Sequence, residues 1–537
     1  MTGSAVLAKP LALSSAGIGQ PSSSRATILG LVFVLVAWEF GARWLADSFV
    51  LAAPSDILLY LVDNSGLMAR ALGVTLSNAA AGFALGNLAA ILLAAIALAW
   101  PRSQTLVTGV ALVVFCLPLV ATGPILRVLF GPGPGPQIML AALAVYYTTL
   151  IPLLVGLKAV PATWFDLVRS YGRSGLSELF HVRLQASLPY LFAGLQIAAP
   201  AAFLGAMVGE FTGAERGMGV LTVRAMRALD VDMTWALATV ATAVAILAYL
   251  AIGWIARRVL RDAPPVILAP ARSGGRDQTS WLSRASDALQ VVVFVLVAWW
   301  GLIALFDLNP FFAKGPWDVV SALFLDPDSA LTRAKLGKAL AETAVFLVPG
   351  YLAGLAAGAG LAMLFVLVPA VAGTAMPLAI ALRSVPIVTT APLIVLLLGR
   401  GATGTIVLVA VMVFFPTLVA CLHGLRQAPG QVIDVLDSYA AGPWQRLVHV
   451  RIPAMLPALF AAARMSVPAA VLAVTVVEWL ATGNGTGSLM ALSASLSDYD
   501  MLWSAVVMVA GLSALGYALV GLVEGRVLRI YAPEQLA

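Results

Sequence analysis

The chain has 537 residues, of which 61% are hydrophobic and 10% charged, with a formal net charge of +6. A soluble domain carries about 25% charged residues, so the composition excludes a soluble globular protein and predicts a multi-pass protein embedded in a lipid bilayer. We expect no nucleic-acid partner.

Apolar runs near 20 residues mark segments that can cross roughly 30 Å of hydrocarbon as helices. Helices are the expected form because backbone polar groups must be satisfied within each segment in lipid. Six runs lie in each half of the chain. They are near 27–46, 74–100, 105–126, 137–157, 186–209 and 236–256, then near 288–307, 340–368, 372–398, 403–423, 455–480 and 503–523. The sequence thus predicts an all-α polytopic membrane protein with about 12 transmembrane helices.

Two polar segments frame these runs. Residues 1–26 contain no acidic residue and are rich in Ser, Ala and Gly, which predicts a disordered cytoplasmic tail rather than a signal peptide. Residues 261–285 carry four arginines, two aspartates, and several Pro and Gly, which predicts a flexible basic linker. The two membrane units are then 27–260 and 286–530. The positive-inside rule places the linker, and with it both termini, in the cytoplasm.

A phrase repeated at a distance of 268 residues relates the two halves. Residues 166–192 align with 434–460 without gaps, and 12 of the 27 pairs are identical. The same shift also pairs Pro118 with Pro386 and Glu210 with Glu478. Each half has four predicted spans before its phrase, so both phrases face the same side. The halves are therefore parallel repeats of six helices, related by an axis along the membrane normal.

Each phrase predicts a short amphipathic helix, a break, and a second short helix. The break falls at Gly172 in the first copy and at Ala440 in the second. Asp166 and Asp434 are expected to begin the first helix, where a carboxylate stabilises the helix N-terminus. The pattern leaves two interpretations open: an interfacial helix that merely links two spans, or a surface that a partner protein binds and moves.

The entry into the fifth span contains a proline in both copies. Pro189 and Pro457 are expected at the beginning of that helix, where a missing N–H is tolerated. Pro453 precedes the second of them by four residues.

The phrases resemble the cytoplasmic loop of binding-protein-dependent ABC importer permeases. That motif is Glu-Ala-Ala, three residues, Gly, nine residues, then Ile-x-Leu-Pro. Both copies have Asp in place of Glu, the first has Gln185 in place of the proline, and the second has Ala440 in place of Gly. The resemblance implies that these loops couple the permease to an ATPase. The implied coupling residues are Asp166, Ser170, Gly172, Arg183 and Pro189, and Asp434, Ser438, Ala440, Arg451, Pro453 and Pro457.

Further segments resemble nitrate, sulfonate and taurine permeases of the inner membrane. "LPLVATGPILRVLFGPGPG" resembles their proline-rich third span, and "GEFTGAERGMG" and "VEWLATGNGTG" resemble the acid and Gly-x-Gly after the fifth. The resemblance implies the type I ABC importer permease fold, with two units fused in one chain. It also implies as partners two ATP-binding cassette subunits and an extracytoplasmic solute-binding protein.

Two glutamates follow the fifth span of each unit. Glu210 and Glu478 are expected at the outer membrane boundary, near water. They and the following glycines are candidates for a gate or for contact with the binding protein, and an ordinary interfacial carboxylate is the alternative. The glycines are Gly217, Gly219, Gly485 and Gly487.

The sequence contains no chemical machinery of its own. It lacks a G-x-x-x-x-G-K-[ST] phosphate-binding loop, and it offers no catalytic residues and no metal ligands. We therefore expect no cofactor in this chain and ATP bound only by partner subunits.

Two other functions remain as alternatives. A twelve-span secondary transporter also has six plus six parallel repeats, but the basic, Gly-rich loop after its second span is missing here, where the loops read "PRSQ" and "PAVAG". A membrane scaffold without transport leaves the repeated phrase unexplained.

Overall fold

The computed structural model describes residues 24–44, 51–160, 162–172, 175–228, 230–260, 281–368, 398 and 401–531. Within these ranges every regular element is helical and no strand occurs. The predicted all-α class is confirmed for this part of the chain.

The first half begins with helix α1, inside the predicted tail, and ends with α11. Its helices are α1 (Ser24–Trp44), α2 (Pro54–Asp63), α3 (Ser65–Ala99), α4 (Gln104–Phe115), α5 (Leu119–Phe130), α6 (Gly135–Lys158), α7 (Ala162–Ser170), α8 (Gly175–Glu178), α9 (Leu184–Phe211), α10 (Met218–Ala228) and α11 (Val231–Val259). A π-helical segment, Leu179–Arg183, joins α8 to α9.

The second half repeats this order from α12, which begins inside the predicted linker. Its helices are α12 (Trp281–Leu305), α13 (Pro316–Val320), α14 (Ser329–Leu367), α15 (Ala402–Arg426), α16 (Gly430–Ser438), α17 (Pro443–Arg446), α18 (Ile452–Val477), α19 (Gly485–Ser495) and α20 (Tyr499–Tyr531). π-helical segments occur at Ser321–Leu325, Leu447–Arg451 and Glu478–Thr482.

Nine helical stretches of the described residues are long and apolar enough to cross a membrane. They correspond to the predicted spans two, four, five and six of the first half and one, two, four, five and six of the second. Several extend beyond their predicted limits, as α14 does with its 39 residues. Helix α1 covers the first predicted span. The predicted span at 372–398 lies outside the described residues, apart from residue 398.

The predicted span at 105–126 is not one helix. It is divided into α4 and α5, each of 12 residues. The break has a local cause: Pro118 is extended, with φ −69° and ψ 109°, and a proline disfavours helical backbone at the residue before it, here Leu117. Hydropathy alone cannot reveal this break because both pieces are equally apolar.

Close packing of helices at glycine recurs in the two halves. A β-carbon at Gly86 of α3 would lie 2.6 Å from the Ala142 carbonyl oxygen of α6, and one at Gly354 of α14 would lie 2.6 Å from the Ala410 carbonyl oxygen of α15. The shift of 268 residues relates both members of this contact. Small residues at such crossings let the backbones approach, which is how membrane helices commonly associate.

The two halves share buried apolar contacts. Val208 and Phe211 of α9 belong to one core cluster with α15 and α18 of the second half, and the Phe211 and Trp479 rings lie 5.7 Å apart. Ile125 of α5 belongs to another cluster with α20. The short helix α5 therefore packs into the opposite repeat.

Candidate functional site: two repeated loops and two buried carboxylates

The first loop has the predicted helix–break–helix shape. Helix α7 ends at Ser170, and Gly172 has a φ of 67°, a left-handed conformation that favours glycine. The Gly172 N–H donates to the Arg169 carbonyl at 2.8 Å, which helps to end the helix. Helix α8 and the π-helical segment then lead directly into α9.

The second loop has the same shape without a glycine. Helix α16 ends at Ser438, and Ala440 is left-handed with a φ of 56°. The Ala440 N–H donates to Asp437 and the Ala441 N–H to Leu436, both at 3.0 Å. This is the Schellman pattern that satisfies the last carbonyls of a helix. The bend is thus common to both loops, although Ala at its apex costs about 1 kcal/mol of backbone strain.

An ion pair crosses the bend in each loop, and its charges are exchanged between the copies. Arg169 Nε lies 2.8 Å from Glu178 Oε1, and Arg446 Nε lies 2.7 Å from Asp437 Oδ1. The shift of 268 residues places Asp437 at the position of Arg169 and Arg446 at the position of Glu178. The hydrogen bond from Arg169 to Glu178, followed by the charge of Glu178, raises the pKa of Arg169 above its ordinary value. Both pairs join the first short helix to the second.

Each loop exposes an apolar surface, which we call the loop face. Its members are exposed large side chains at positions related by the shift of 268. They are Trp164, Leu167, Tyr171 and Phe180 in the first loop and Val432, Val435, Tyr439 and Val448 in the second. Tyr171 and Tyr439 are the most open, at 76% and 81% exposed. Contiguous apolar side chains outside the spans mark a surface for a partner or a membrane.

The predicted coupling residues divide between the exposed loop and its internal supports. Asp166 and Asp434 are exposed, whereas the hydroxyls of Ser170 and Ser438 bond back within their own helices, to Leu167 and Val435 carbonyls at 2.7 and 2.6 Å. Both serines therefore support their helix ends.

The two arginines of the motif are partly buried behind the loops. The Arg183 guanidinium lies 4.6 Å from the centre of the Phe165 ring and its Nη1 donates to the Leu157 carbonyl at 3.4 Å. Arg451 is half-buried at the equivalent position. Arg183 therefore ties α7 to the end of α6 rather than standing on the loop face.

The expectation that Asp166 and Asp434 begin their helices is wrong. Helix α7 begins at Ala162 and α16 at Gly430, so each carboxylate is the fifth residue of its helix and no acid occupies the first turn. A favourable interaction with the helix dipole fades beyond the first turn. The amphipathic pattern located these helices but did not fix their first residues.

The expectation that Pro189 and Pro457 stand at a helix start is also wrong. Both are the sixth residue of their helices, α9 and α18, and only Pro453 occupies the first turn. A proline inside a helix removes one hydrogen bond and crowds the preceding turn. In each half a wider π-helical turn comes just before, ending at Arg183 and Arg451, and such turns commonly accompany helix irregularities at functional sites.

Glu210 is buried at the end of α9, with 1% of its surface exposed. Its carboxylate accepts hydrogen bonds from the Thr75 hydroxyl at 2.8 Å and from the Gly219 N–H at 2.7 Å. The Thr75 hydroxyl oxygen also accepts from the Met218 N–H at 2.8 Å. The acid and the threonine together satisfy the first N–H groups of α10, which otherwise lack partners.

Glu478 is the equivalent carboxylate and is completely buried. It accepts from the Gly487 N–H at 2.9 Å and from the Thr486 hydroxyl at 3.3 Å. The Thr486 N–H donates to Thr343, which corresponds to Thr75. In this half Glu342 also accepts from the Gly485 N–H, at 2.9 Å. The expectation of water-exposed interfacial carboxylates is therefore wrong, because both carboxylates are enclosed by the start of the following helix.

The predicted glycines make this enclosure sterically feasible. A β-carbon at Gly217 would lie 2.2 Å from the Glu210 carboxyl carbon, and one at Gly485 would lie 2.1 Å from Glu478 Oε1. Both glycines also have positive φ, 130° and 82°. Gly219 and Gly487 are equally confined, by the Met207 and Thr475 carbonyl oxygens. All four predicted glycines thus gather around the two carboxylates.

A buried ion pair distinguishes the second half from the first. Arg464 of α18 lies 3.1 Å from Glu524 of α20, and their side chains are 15% and 6% exposed. The equivalent residues in the first half are Gln196 and Ala256. Charges inside membrane spans are costly and are almost always paired, so the two repeats differ in polarity where spans five and six meet.

Sequence reasoning missed several of these residues. Thr75 and Thr343 contact Glu210 and the start of α19 across 135 and 143 residues, and only their equivalence under the repeat shift could have indicated them. The loop ion pairs were missed because a search for identical residues rejects positions whose charges are exchanged. Among the described residues no group of three or more His, Cys, Asp or Glu could hold a metal ion.

The long apolar helices, the internal repeat and the paired bent loops define a membrane permease built from two copies of one unit. The chain belongs to the family described as "Binding-protein-dependent transport system inner membrane component", whose sequence profile matches it twice, at residues 86–262 and 350–529. The two matches confirm the prediction of two permease units and the resemblance to ABC transporter permeases.

Individual relatives are similar to one unit at a time. A probable ABC transporter permease of Haemophilus influenzae is 30% identical over 229 residues, which are 42% of this chain and 93% of the relative. The formylaminopyrimidine transport permease ThiX of Halalkalibacterium halodurans is 27% identical over 203 residues, 38% of this chain and 81% of the relative. The taurine permease TauC of Escherichia coli is 23% identical over 224 residues, 42% and 82% of the two chains. Less than half of this chain matches most of each relative.

Proposed function

We propose that this chain forms the translocation pathway of an ATP-driven importer for a small solute that a binding protein delivers. Two ATP-binding cassette subunits dock on the two loops, one on each, and supply the hydrolysis. The observation that carries the proposal is the pair of identically bent loops, each with an exposed loop face centred on Tyr171 or Tyr439. A short rigid segment of this kind can be gripped in a partner groove and moved as one body.

The loops and both termini lie in the cytoplasm in this proposal. The basic linker between the units carries the arginine excess that is typical of cytoplasmic segments. The two carboxylate caps lie at the far ends of the fifth spans from the loops. Helix α9 has 28 residues, so Glu210 is about 40 Å along the chain axis from the loop end at 1.5 Å per residue.

The carboxylate caps hold α10 and α19 at the outer mouth of the pathway. Glu210 and Glu478 fix the first turns of these helices through the bonds to Gly219 and Gly487. Movement of the fifth span is thereby transmitted to a short helix beside the outer opening. The caps act as a support for a gate and for the surface that receives the binding protein, rather than as ligands of the solute.

The solute class rests on the relatives alone. Relatives are named for aliphatic sulfonates, taurine, formylaminopyrimidine and riboflavin. We propose a small organic solute or anion of the nitrate, sulfonate or taurine kind, or a small heterocycle.

Reconstitution into liposomes tests the energy source. Uptake is expected to require the ATP-binding subunits, ATP and the liganded binding protein together, and the chain alone should neither hydrolyse ATP nor accumulate solute. Uptake driven by a proton or sodium gradient with the chain alone would instead establish the alternative, a twelve-span secondary transporter.

A further inference from the structure

The two loops keep their shape while their charges change places. Arg169 and Glu178 bridge the first bend at 2.8 Å, and Asp437 and Arg446 bridge the second at 2.7 Å. The cation belongs to the first short helix in one copy and to the second short helix in the other. The bridge is retained, and only its direction differs.

The other features of the loops agree closely. Helices α7 and α16 both have nine residues, and both bends have a left-handed residue two positions later, with φ of 67° and 56°. Each is followed by a four-residue helix and a π-helical segment of five residues. The loop faces have apolar side chains at the same four positions, and a tyrosine is present in both, Tyr171 and Tyr439.

A partner groove that read charge at this position would need opposite charges for the two loops. A groove matched to Arg169 would meet Asp437 in the second loop, and juxtaposed like charges disfavour a contact strongly. A groove that reads the apolar face and the bend would accept both loops equally. Exchanged charges are therefore tolerable only if the ion pair acts within its own loop.

We propose that the two loops are read by two copies of one ATP-binding subunit, whose groove contacts the apolar loop face. The ion pairs Arg169–Glu178 and Asp437–Arg446 are internal braces that hold the bend, and their direction is exchangeable. This inference rests on the proposed function, because it assumes that the loops dock on an ATPase. It adds that the partner is a symmetric pair although the permease loops differ in sequence.

Charge reversal in the first loop separates a brace from a charge that the partner reads. The variants are Arg169→Glu, Glu178→Arg and the double exchange, which gives the first loop the polarity of the second. The wild-type complex is purified in lipid nanodiscs, and binding of the ATP-binding subunit that co-purifies with it is measured. Each single reversal is expected to weaken binding about fivefold, because it replaces an attraction worth up to about 1 kcal/mol by a repulsion. The double exchange should bind within about twofold of wild type.

Two results overturn the inference. If the double exchange binds as weakly as the single variants, the partner reads the charges. If the single variants bind normally, the pair is not a brace. Thermal midpoints of all variants verify that the permease remains folded. Native mass spectrometry must also show two copies of one ATP-binding subunit, and one copy each of two different subunits would equally contradict it.

Variants of the loop face distinguish failure of this inference from failure of the proposed function. Tyr171→Asp and Tyr439→Asp place a charge on the apolar face outside the ion pair and should each weaken binding of the ATP-binding subunit. If both bind normally, the loops are not the docking surface and the proposed function fails with them. If they bind weakly while the double exchange is not restored, only the exchangeable brace is wrong.

Discussion

Gly172 and Ala440 occupy the same position in the two repeated loops, and both have left-handed backbone, with φ of 67° and 56°. A β-carbon at Gly172 would meet no atom within 4 Å. The position is therefore governed by backbone conformation rather than by space, and alanine is sterically admissible there at the cost of strain. The shared bend, and not the shared residue, is what the two loops have in common.

Exchange of these two residues should change loop rigidity in opposite directions. Gly172→Ala is expected to destabilise the first bend by about 1 kcal/mol, because a β-carbon disfavours left-handed backbone. Amide hydrogen exchange in α7 and α8 should then quicken about fivefold. Ala440→Gly should be nearly neutral, since relief of strain is offset by the roughly 0.5–1 kcal/mol of extra freedom of glycine in the unfolded chain. Equal exchange rates in Gly172→Ala and wild type would show that the bend does not limit loop rigidity.

The enclosure of Glu478 should be sensitive to one methyl group. Gly485→Ala would place a β-carbon 2.1 Å from Glu478 Oε1 and is expected to destabilise the protein by about 1–3 kcal/mol from overpacking, in addition to backbone strain. Gly483→Ala is the matched control, because Gly483 also has positive φ, 73°, but no atom lies within 4 Å of the added carbon. Thermal unfolding in detergent should rank Gly485→Ala clearly below Gly483→Ala, and equal midpoints would refute the tight enclosure.

The hydroxyl of Thr75 should contribute to stability through two buried hydrogen bonds. Thr75→Val keeps the side-chain shape but removes the donor to Glu210 and the acceptor for the Met218 N–H. Leaving buried polar groups without partners costs about 1–3 kcal/mol, so the thermal midpoint should fall. Thr75→Ser retains the hydroxyl and serves as the control. A valine variant as stable as the serine variant would count against the role of these bonds.

The ion pair between Arg464 and Glu524 should be costly to break and cheap to replace. Glu524→Ala leaves a buried arginine without this carboxylate and is expected to destabilise the protein by about 3–5 kcal/mol. The double variant Arg464→Gln with Glu524→Ala copies Gln196 and Ala256 of the first half and should recover most of that loss. Chemical unfolding in detergent provides the comparison. A double variant no more stable than Glu524→Ala alone would show that the repeats are not interchangeable at this site.

Composition and the internal repeat together predicted most of the fold. Apolar runs located the long helices because spanning helices must be apolar along about 20 residues, and the shift of 268 related the loops and the carboxylates. The break at Pro118 was missed because hydropathy does not register backbone conformation. The burial of Glu210 was missed because its partner Thr75 is 135 residues away in sequence. Contacts of that range follow from helix packing, which one sequence does not specify.

The coupling role of the loops is tested most directly by the affinity of the ATP-binding subunit for permeases with an added charge at each bend. The variants are Gly172→Glu and Ala440→Glu. Gly131→Glu is the control, since Gly131 also has positive φ, 71°, and open surroundings, but precedes α6 at the end of that helix remote from the first loop. All three should insert and purify like wild type. If the loops are the docking sites, the two loop variants lose ATPase binding and uptake while Gly131→Glu retains both. If the loop variants bind the ATPase and transport as well as the control, the loops are only interfacial linkers.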